Sequence, residues 1–573
     1  MDGRAVGPAR DDVDLGERRL GEEHAEQGGD EDASIQGGDL PGGERRGRRQ
    51  GSNLSHGDEW PTERFRATAQ RLTSQAGAGG FCPERAPGME KSMKRLLVAM
   101  AGALFPVWMG CANTESPEAV GCASEDFDRS ACDIPAVSAV KAEGIWQANV
   151  TLDGLDTPGS LRLLPEGPLL FNSPLKDRPA EGGPFFLSSE YTDSAVPMRL
   201  AFSACQAPEA TRVTGEFRRC AYGSANLKGT FEAVRVQRGA GEEESSGVEL
   251  VAEVPLPRGA VASDVFVSGG YAYVTAHADG LFVFDVKNPS APQKVAEVTP
   301  TKDVWRRAWV KGQTLYISSA TQGLLVYDVS NPALPKRLSA QPGTALEAWG
   351  LYEDQDRLYV MAPYPNAEVL IFDLHQDATK PLLMKRYFVE DSRLDRGELP
   401  VEGVVTGNRL YMGHWRYGFA VADVSNPNAP ATLGRFQYDK ATSRPVAVGL
   451  FEGQTIAFEA SEGWDSRVRA LNVTDPQHIT QVGQFQTRPQ STVSAMTLVG
   501  TRLYVAYAQD GLRILDVSSP STPRQQAYYN TWRESDPGRG RAFVDGLSAV
   551  RVPGDGYLYA AETSRGLLVL REQ

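Results

Sequence analysis

The histidines are the side chains of this sequence best suited to catalysis or metal binding, and their positions keep them apart. Of the six histidines, four follow residue 112. His375 and His478 lie in recurring turn segments, whereas His277 and His414 lie in other loops of distant repeats. The sequence also lacks the G-x-S-x-G, H-E-x-x-H, Gly-Lys phosphate-loop and EF-hand patterns. These observations predict a protein that is not an enzyme.

The cysteines offer a second kind of chemistry. Cys122, Cys132, Cys205 and Cys220 form an even set, which in an oxidising compartment predicts two disulfides with three connectivities to choose from. We expect neighbour pairing, Cys122 with Cys132 and Cys205 with Cys220, because the segments that end at Cys205 and Cys220 resemble adjacent strands. No C-x-x-C occurs, which disfavours a zinc knuckle or a thioredoxin-like site.

The segment that recurs most clearly is GLLVYDVSNPALP, from Gly323 to Pro335. Its β-branched and aromatic run favours a strand, and the Asp and Asn-Pro that follow favour a turn, because Asp accepts local backbone hydrogen bonds and Pro ends the ladder. Each copy therefore predicts a strand that ends at its aspartate and continues into a hairpin. Other copies are GLFVFDVKNPSAP (Gly280 to Pro292), GFAVADVSNPNAP (Gly418 to Pro430), GLRILDVSSPSTP (Gly511 to Pro523), VLIFDLHQDATKP (Val369 to Pro381) and VRALNVTDPQHI (Val468 to Ile479).

The spacing of these copies predicts a β-propeller. Successive motif positions lie 43, 45, 50, 49 and 44 residues apart, and a four-stranded unit of this length is typical of a propeller blade. A last unit begins near Asp545 and ends one strand short, and Val248 to Pro257 resembles the missing strand. We therefore predict seven blades over residues 248–573, closed by the N-terminal strand. A six-bladed or open ring is the alternative if the divergent fifth unit is not a blade. The motif positions are Asp285, Asp328, Asp373, Asp423, Asn472 and Asp516.

Residues 140–238 predict a separate small antiparallel β-sandwich or barrel, so that the fold class is all-β. Six short segments alternate apolar and polar residues with period two. We expect their inward faces to fill one another rather than to form a ligand pocket. Residues 239–247, GAGEEESSG, predict a charged, flexible linker to the propeller. The six segments are Gly144 to Leu152, Ser160 to Pro165, Phe185 to Tyr191, Met198 to Cys205, Arg212 to Cys220 and Gly229 to Val236.

Residues 89–111 predict a secretory signal. A charged stretch, Met93-Lys94-Arg95, precedes a short apolar run that contains a proline, which suits a signal better than a membrane-spanning helix. Residues 1–88 are rich in Gly and charged side chains and predict disorder. Because a signal works only at an amino terminus, we interpret residues 1–88 as a mis-called upstream extension. A cytoplasmic tail ahead of a signal anchor is the alternative.

Gly110-Cys111 resembles the cleavage site of bacterial lipoproteins, which predicts a lipid on Cys111 and an outer-membrane or cell-surface location. Cleavage after Ala112, giving a periplasmic or secreted protein, is the alternative. Residues 112–139 are predicted to be a linker. The formal net charge of -14 argues against nucleic acid as the main partner and against a membrane contact other than a lipid anchor.

The repeated unit GLxVxDVSNPxxP after a Tyr-rich strand resembles the LVIVD repeat of exported and surface-attached propeller proteins of bacteria and archaea. The resemblance covers residues 248–573. It implies a propeller on the outside of the cell and brings no catalytic motif with it. The recurring aspartates are interpreted as turn formers.

Functional residues should then lie in the loops that differ between blades. In a four-stranded blade, the loop between the second and third strands and the connection between blades share one face, opposite the Asp-Asn-Pro hairpins. Aromatic and Arg side chains collect there, and these types dominate binding hot spots. The longest connection, Tyr528 to Gly546, is the strongest single candidate. The candidates for the binding face are Trp305, Arg306, Arg307, Trp349, His414, Trp415, Arg416, Trp464, Trp532 and Arg533.

Acidic residues near the start of several inner strands predict a second candidate site at the mouth of the central channel. These are Asp264, Glu347, Glu402 and Asp545. A solvated rim is the simpler interpretation, and a cation or polar ligand is the alternative. Propeller hydrolases of the lactonase kind hold a calcium ion at this place, so a calcium-dependent hydrolase is the alternative function. The favoured function is a non-catalytic, exported scaffold without a cofactor that binds a protein or glycan at the cell surface.

Overall fold

The computed structural model describes residues 121–180 and 182–573, and these residues form an almost entirely β structure. The predicted extension, signal segment and Cys111 lie outside the described residues. Two domains follow one another within one compact unit: a closed eight-stranded barrel and a ring of seven sheets. Among the described residues, no helix is long and apolar enough to cross a membrane.

The first domain is a barrel rather than a sandwich, and its strands pair in chain order. Alternating side chains of β1, such as Trp146, Ala148 and Val150, point into a core that Phe202 and Phe217 fill from the far side. The interior is therefore packed, as predicted. Two short strands were not predicted, because one has only two residues and the other contains a proline. The strands are β1 (Ile145–Leu152), β2 (Leu155–Arg162), β3 (Leu169–Leu170), β4 (Ser173–Asp177), β5 (Phe186–Asp193), β6 (Val196–Glu209), β7 (Arg212–Ala221) and β8 (Ser224–Arg235).

Two disulfides fasten the segment before β1 to the barrel. They join Cys122 to Cys220 and Cys132 to Cys205, so the predicted neighbour pairing is wrong. Strands β6 and β7 are adjacent as expected, but their register places Cys220 opposite Arg199, well away from Cys205. Each of these cysteines instead meets one from the N-terminal segment. Disulfides of this kind are typical of oxidising compartments.

The segment 121–139, predicted as a linker, is thus part of the barrel domain. It contains a 3-10 turn (Ser124–Asp126) and a short helix, α1 (Ile134–Ser138). Asp133 caps α1 by accepting the Ala136 N–H at 3.1 Å, and Val137 packs into the barrel core.

The second domain is a seven-bladed propeller. We call the four strands of a blade A to D from the centre outward. The strands of blades one to three are β11 (Asp264–Ser268), β12 (Tyr271–Ala276), β13 (Gly280–Asp285), β14 (Gln293–Val298); β15 (Trp305–Lys311), β16 (Thr314–Ser319), β17 (Gly323–Asp328), β18 (Lys336–Gln341); β19 (Leu351–Asp354), β20 (Arg357–Ala362), β21 (Glu368–Asp373) and β22 (Leu382–Phe388).

Blades four to six have the same order, and 3-10 turns at Pro257–Gly259 and Leu394–Arg396 precede blades one and four. The divergent fifth unit is a complete blade, which confirms the count of seven. The strands are β23 (Glu402–Thr406), β24 (Arg409–Gly413), β25 (Phe419–Asp423), β26 (Ala431–Phe436); β27 (Ser443–Phe451), β28 (Gln454–Ser461), β29 (Val468–Asn472), β30 (Thr480–Phe485); β31 (Val493–Val499), β32 (Arg502–Tyr507), β33 (Gly511–Asp516) and β34 (Arg524–Tyr529).

The seventh blade joins the two ends of the propeller chain, as predicted. It combines β35 (Leu547–Arg551), β36 (Leu558–Glu562) and β37 (Gly566–Glu572) with β10 (Val248–Val254) as its outer strand. The predicted flexible linker is held in place, because β9 (Ser245–Ser246) adds a fifth strand to blade six beside β34. Glu242 of the linker also forms a salt bridge of 2.9 Å with Arg513, which is buried in that blade.

The motif aspartates form the turns predicted for them. Asp285, Asp328, Asp423 and Asp516 each accept a backbone N–H two residues later, at 2.8 to 3.0 Å. These bonds favour the carboxylate, and they hold the pKa of Asp328 and Asp516 below the ordinary value. The recurring aspartate is therefore used by the scaffold.

The motif glycine is required by a close approach. Gly323 has φ 74°, and a Cβ built on it would lie 2.5 Å from the carbonyl oxygen of Gln341, where strand D of the same blade ends. A Cβ on Gly280 would meet the Val298 carbonyl in the same way, at 2.1 Å. The glycine thus lets the loop between strands B and C close against strand D.

We predict that Gly323→Ala lowers the free energy of unfolding by about 2–5 kcal/mol, because it combines an unfavourable φ with a backbone clash. Gly312→Ala is the matched control. Gly312 also has a positive φ, 58°, but a Cβ there meets nothing within 4 Å, so only about 1–2 kcal/mol should be lost. Urea unfolding monitored by circular dichroism measures both, and equal losses would contradict the clash.

Candidate functional site

The propeller presents two different faces. The hairpins between strands A and B and between strands C and D form one, which we call the hairpin face. The loops between strands B and C and the connections between blades form the other, which we call the connection face. All the candidate binding residues predicted above lie in segments of the connection face or in strands that begin there.

The barrel rests on part of the connection face. Asp156 of the barrel forms a 2.8 Å salt bridge with Lys440, in the connection between blades four and five. The Gln237 carbonyl, just after β8, accepts a 2.6 Å hydrogen bond from Arg488, in the next connection. The loop 530–546 between blades six and seven contributes the remaining contacts described below. Three connections are thus used for a contact within the chain.

Loop 530–546, the part of the predicted functional connection Tyr528 to Gly546 that follows β34, holds the barrel through several contacts. Glu534 accepts the Ile145 N–H at 2.8 Å and Arg235 Nη2 at 3.2 Å. Trp532, only 7% exposed, packs with Ile145 and Val236 in one apolar cluster. Arg539 lies over the Trp532 ring at 4.6 Å and forms a fully buried 2.7 Å ion pair with Glu562 of blade seven. The length of this loop is therefore explained by domain docking.

Replacing Trp532 should loosen the barrel without opening the ring. Trp532→Ala removes the largest apolar group of the contact, and a loss of about 3–5 kcal/mol is expected for such a deletion. We predict faster proteolytic cleavage in the linker 239–247 and a separate thermal transition for the barrel. Trp349→Ala, on the same face but outside the barrel contacts named above, should leave cleavage unchanged. Equal cleavage of wild type and Trp532→Ala would contradict this docking role.

The mouth of the channel on the connection face holds a network of ion pairs between blades. Arg307 of blade two contacts Asp264 of blade one at 3.4 Å and Glu402 of blade four. Glu402 also accepts Arg444 of blade five at 3.2 Å. Arg551 of blade seven reaches Asp264 at 3.4 Å. Two predicted acids, Asp264 and Glu402, therefore meet in one site, together with three arginines.

The other two predicted acids lie outside this network. Glu347 contacts Arg306 and accepts the Trp349 indole N–H at 2.6 Å. Asp545 is buried in loop 530–546, where it accepts the Arg541 N–H at 2.8 Å. Burial raises the pKa of Asp545 to about 6, although Arg539 opposes this shift. The four acids thus do not converge on a single point.

Arginines govern the electrostatics of the mouth. Burial raises the pKa of Glu402, but Arg307 and Arg444 outweigh burial and hold it below the ordinary value. His277 lies near the same arginines, and burial with their positive charge lowers its pKa to about 3. Within residues 121–180 and 182–573, no three His, Cys, Asp or Glu side chains are grouped as a metal ion would need. The carboxylates here are neutralised by arginine, whereas calcium sites use uncompensated oxygen ligands.

Arg307→Ala should destabilise the propeller strongly, because it leaves the buried Asp264 and the half-buried Glu402 short of a partner. We predict a loss of about 3–5 kcal/mol at pH 7. Protonation of Glu402 removes its unpaired charge, so the penalty should shrink at pH 4, near the unfolded pKa of Glu. In the wild type, the lowered pKa of Glu402 means that its ionised carboxylate stabilises the folded state above about pH 4. This stabilisation is lost as the pH falls further.

Urea midpoints at the two pH values measure the effect. Arg502→Ala is the control, since it breaks the more exposed pair with Glu572 and should cost about 1 kcal/mol or less. A penalty for Arg307→Ala that does not change between pH 7 and pH 4 would contradict the network.

Comparison with known protein families agrees with the repeat geometry. The family described as the LVIVD repeat matches residues 259–299, 304–338, 404–437 and 493–531. These segments contain most of blades one, two, four and six. Four of the propeller's seven blades thus contain LVIVD repeats. Blades three, five and seven complete the ring with more divergent copies of the same four-stranded unit.

No curated protein matches the sequence. Among solved structures, the chain is similar to the computationally designed Ika8 protein, at 10% identity and TM-score 0.38 over 55% of this chain and 98% of that one. It is similar to U3-55K at 8% identity and TM-score 0.43, over 56% and 98% of the two chains. A chain of the mitotic checkpoint complex shows 13% identity and TM-score 0.42, over 59% and 99%.

Several predicted binding residues of the LVIVD-repeat propeller are internal. Trp305 is 2% exposed and donates its indole N–H to Asp303 at 2.9 Å within the core between blades. His414 is fully buried beside Tyr417, and burial lowers its pKa to about 3. Arg307 and Trp532 are buried as well. These four side chains therefore do not form the exposed binding surface that was predicted.

The other candidates are partly exposed on the connection face. Arg306 lies over the Trp349 ring at 5.2 Å, and Trp349 and Trp415 flank the same small apolar cluster. The backbone of Trp415 pairs with Ser443 and so links blades four and five. Arg416, Trp464 and Arg533 are half-buried, and Arg533 contacts Glu253 of β10 at 3.3 Å.

Four residues of the channel were not predicted as site residues. Phe266, Trp309 and Tyr352 form a row across blades one to three, with ring centroids 4.9 and 5.2 Å apart. Arg551 stands on the seventh blade. The usable signal was their position, since each lies in a strand A, the strand that lines the channel.

Proposed function

We propose that this protein is an exported, non-catalytic binding protein whose propeller is a rigid scaffold for contacts with a protein or glycan at the cell surface. The hairpin face repeats the same turns in blade after blade, which suits a structural role. The connection face differs between blades and carries the aromatic and arginine side chains. Sequence variation on a fixed frame is the usual way in which such folds acquire binding specificity.

The observation that carries the proposal is the cluster of Arg306, Glu347 and Trp349 on blades two and three. The Trp349 indole donates to Glu347, and Arg306 lies over the ring, so the three side chains hold one another in place. All the barrel contacts named above go to the connections from blade four to blade seven. The cluster therefore lies apart from the barrel contacts, and it combines the side-chain types of binding hot spots.

The non-catalytic part of the proposal rests on the charge balance of the channel mouth. A calcium-dependent hydrolase would need carboxylates directed at the ion, with few competing cations. Here Asp264 and Glu402 are each contacted by two arginines. This donor set does not fit calcium, and we propose a protein without a resident metal.

Export is supported by the two disulfides, because such bonds form and persist in oxidising compartments. The finer proposal, a bacterial lipoprotein anchored through Cys111 at the outer membrane or cell surface, rests on the sequence pattern alone. Metabolic labelling with palmitate tests it, and the Cys111→Ser variant is the control.

We predict that Trp349→Ala combined with Arg306→Ala weakens binding to the cell envelope by about 30-fold or more, as expected when a hot spot is removed. Fluorescently labelled protein is titrated onto envelope preparations of the source organism, with and without protease or glycosidase treatment to separate protein from glycan. Leu334→Ala combined with Lys287→Ala is the control on the hairpin face, where Leu334 is 72% exposed. Equal affinity of both double variants would contradict the proposed face.

A further inference from the structure

The centre of the propeller contains a cavity of about 370 Å³. Residues from the A strands of all seven blades line it. Its size falls within the range of about 300–1,000 Å³ that is usual for small-molecule sites. The cavity is separate from the Arg306, Glu347 and Trp349 cluster, none of which lines it.

The lining of this cavity combines two groups of apolar side chains with the charged side chains of Arg307, Glu402 and Arg551. Phe266, Trp309 and Tyr352 form the aromatic row of blades one to three, and all three rings are half-buried. On the opposite blades, Met496 and Leu498 belong to an aliphatic wall. Partly exposed aromatic rings that face aliphatic side chains across a cavity suit a flat apolar group, which can pack against both walls.

Arg551 supplies positive charge beside these apolar side chains. Its guanidinium meets Asp264 at 3.4 Å, a long contact, and Asp264 also serves Arg307. Within the described part of the chain, the buried Nε of Arg551 has no hydrogen-bond acceptor. Arg551 is also close enough to Tyr352 to oppose the rise that burial causes in the pKa of that phenol. The Arg551 side chain is also 27% exposed and lines the cavity beside the aromatic row, so its guanidinium can donate to a ligand there.

We propose that the channel binds a small organic anion with a flat aromatic body and one carboxylate, which Arg551 receives. The ring system would pack between the aromatic row and the aliphatic wall. The carboxylate would accept from the guanidinium, which offers donors in a planar fork suited to two oxygens. A cationic ligand is disfavoured, because the lining carries two arginines, Arg307 and Arg551, against one carboxylate, Glu402. This proposal does not depend on the connection face.

Isothermal titration with two matched probes tests the site in the full chain. The probes are 2-naphthoate and the neutral 2-naphthamide, which share one ring system. We expect saturable 1:1 binding of naphthoate and at least about tenfold weaker binding of naphthamide, since a hydrogen bond to a charged group contributes at least that much. Arg551→Gln should abolish this preference and leave the affinity for naphthamide unchanged. Arg502→Gln, in strand B of blade six and outside the cavity lining, should behave as wild type.

Leu498→Trp tests the cavity independently of Arg551, because the larger ring fills the space from the aliphatic wall, and it should abolish binding of both probes. Circular dichroism melts establish that each variant is folded. The proposal is overturned if wild type shows no saturable naphthoate binding up to about 1 mM, a very weak affinity. It is also overturned if naphthamide binds equally well, or if folded Leu498→Trp binds naphthoate as wild type does.

Discussion

The pairing of β10 with β37 is the contact on which the ring depends. One strand begins the propeller and the other ends it, so their antiparallel ladder joins the two ends of the propeller chain. Glu253 of β10 reinforces this closure by accepting Arg565 Nη2 at 2.6 Å, and Arg565 also donates to the Thr531 carbonyl at 3.2 Å. One buried guanidinium thus connects the closing strand, blade seven and loop 530–546. Without β10, β37 would present an unpaired edge to solvent.

Closure also determines where the barrel lies. The chain must pass from β8 to β10 within residues 239–247, and it does so along the outer edge of blade six, where β9 pairs with β34. The barrel is therefore held beside the closing blade, and it rests on the connections nearest to it. This position divides the connection face into a part used for docking and a part, on blades one to three, with a different set of side chains. Loop 530–546, the longest connection, belongs to the part used for docking.

The scaffold could be predicted well from the sequence because each repeat contains the local pattern that determines its own strands and turns. A strand that ends in Asp and an Asn-Pro turn is a local pattern, so blade count, closure and the role of Asp328 followed from it. The disulfide pairing did not follow, because it depends on the register of β6 against β7, which places Cys220 opposite Arg199. The buried position of Trp532 depends on the barrel as a second domain. Such contacts join distant parts of the chain, and no local pattern carries them.

The ion pairs of the channel likewise depend on contacts between distant parts of the chain. Asp264, Arg307, Glu402 and Arg551 belong to four blades, and they meet only because the ring curves their A strands together. Buried charges must be balanced where water is scarce, so an arginine on one blade constrains an acid on another. No single repeat displays this constraint. Asp264 must serve two guanidiniums, and Arg551 holds it only by a long contact. The charge balance that stabilises the mouth thus leaves Arg551, beside the aromatic row, able to pair with a further anion.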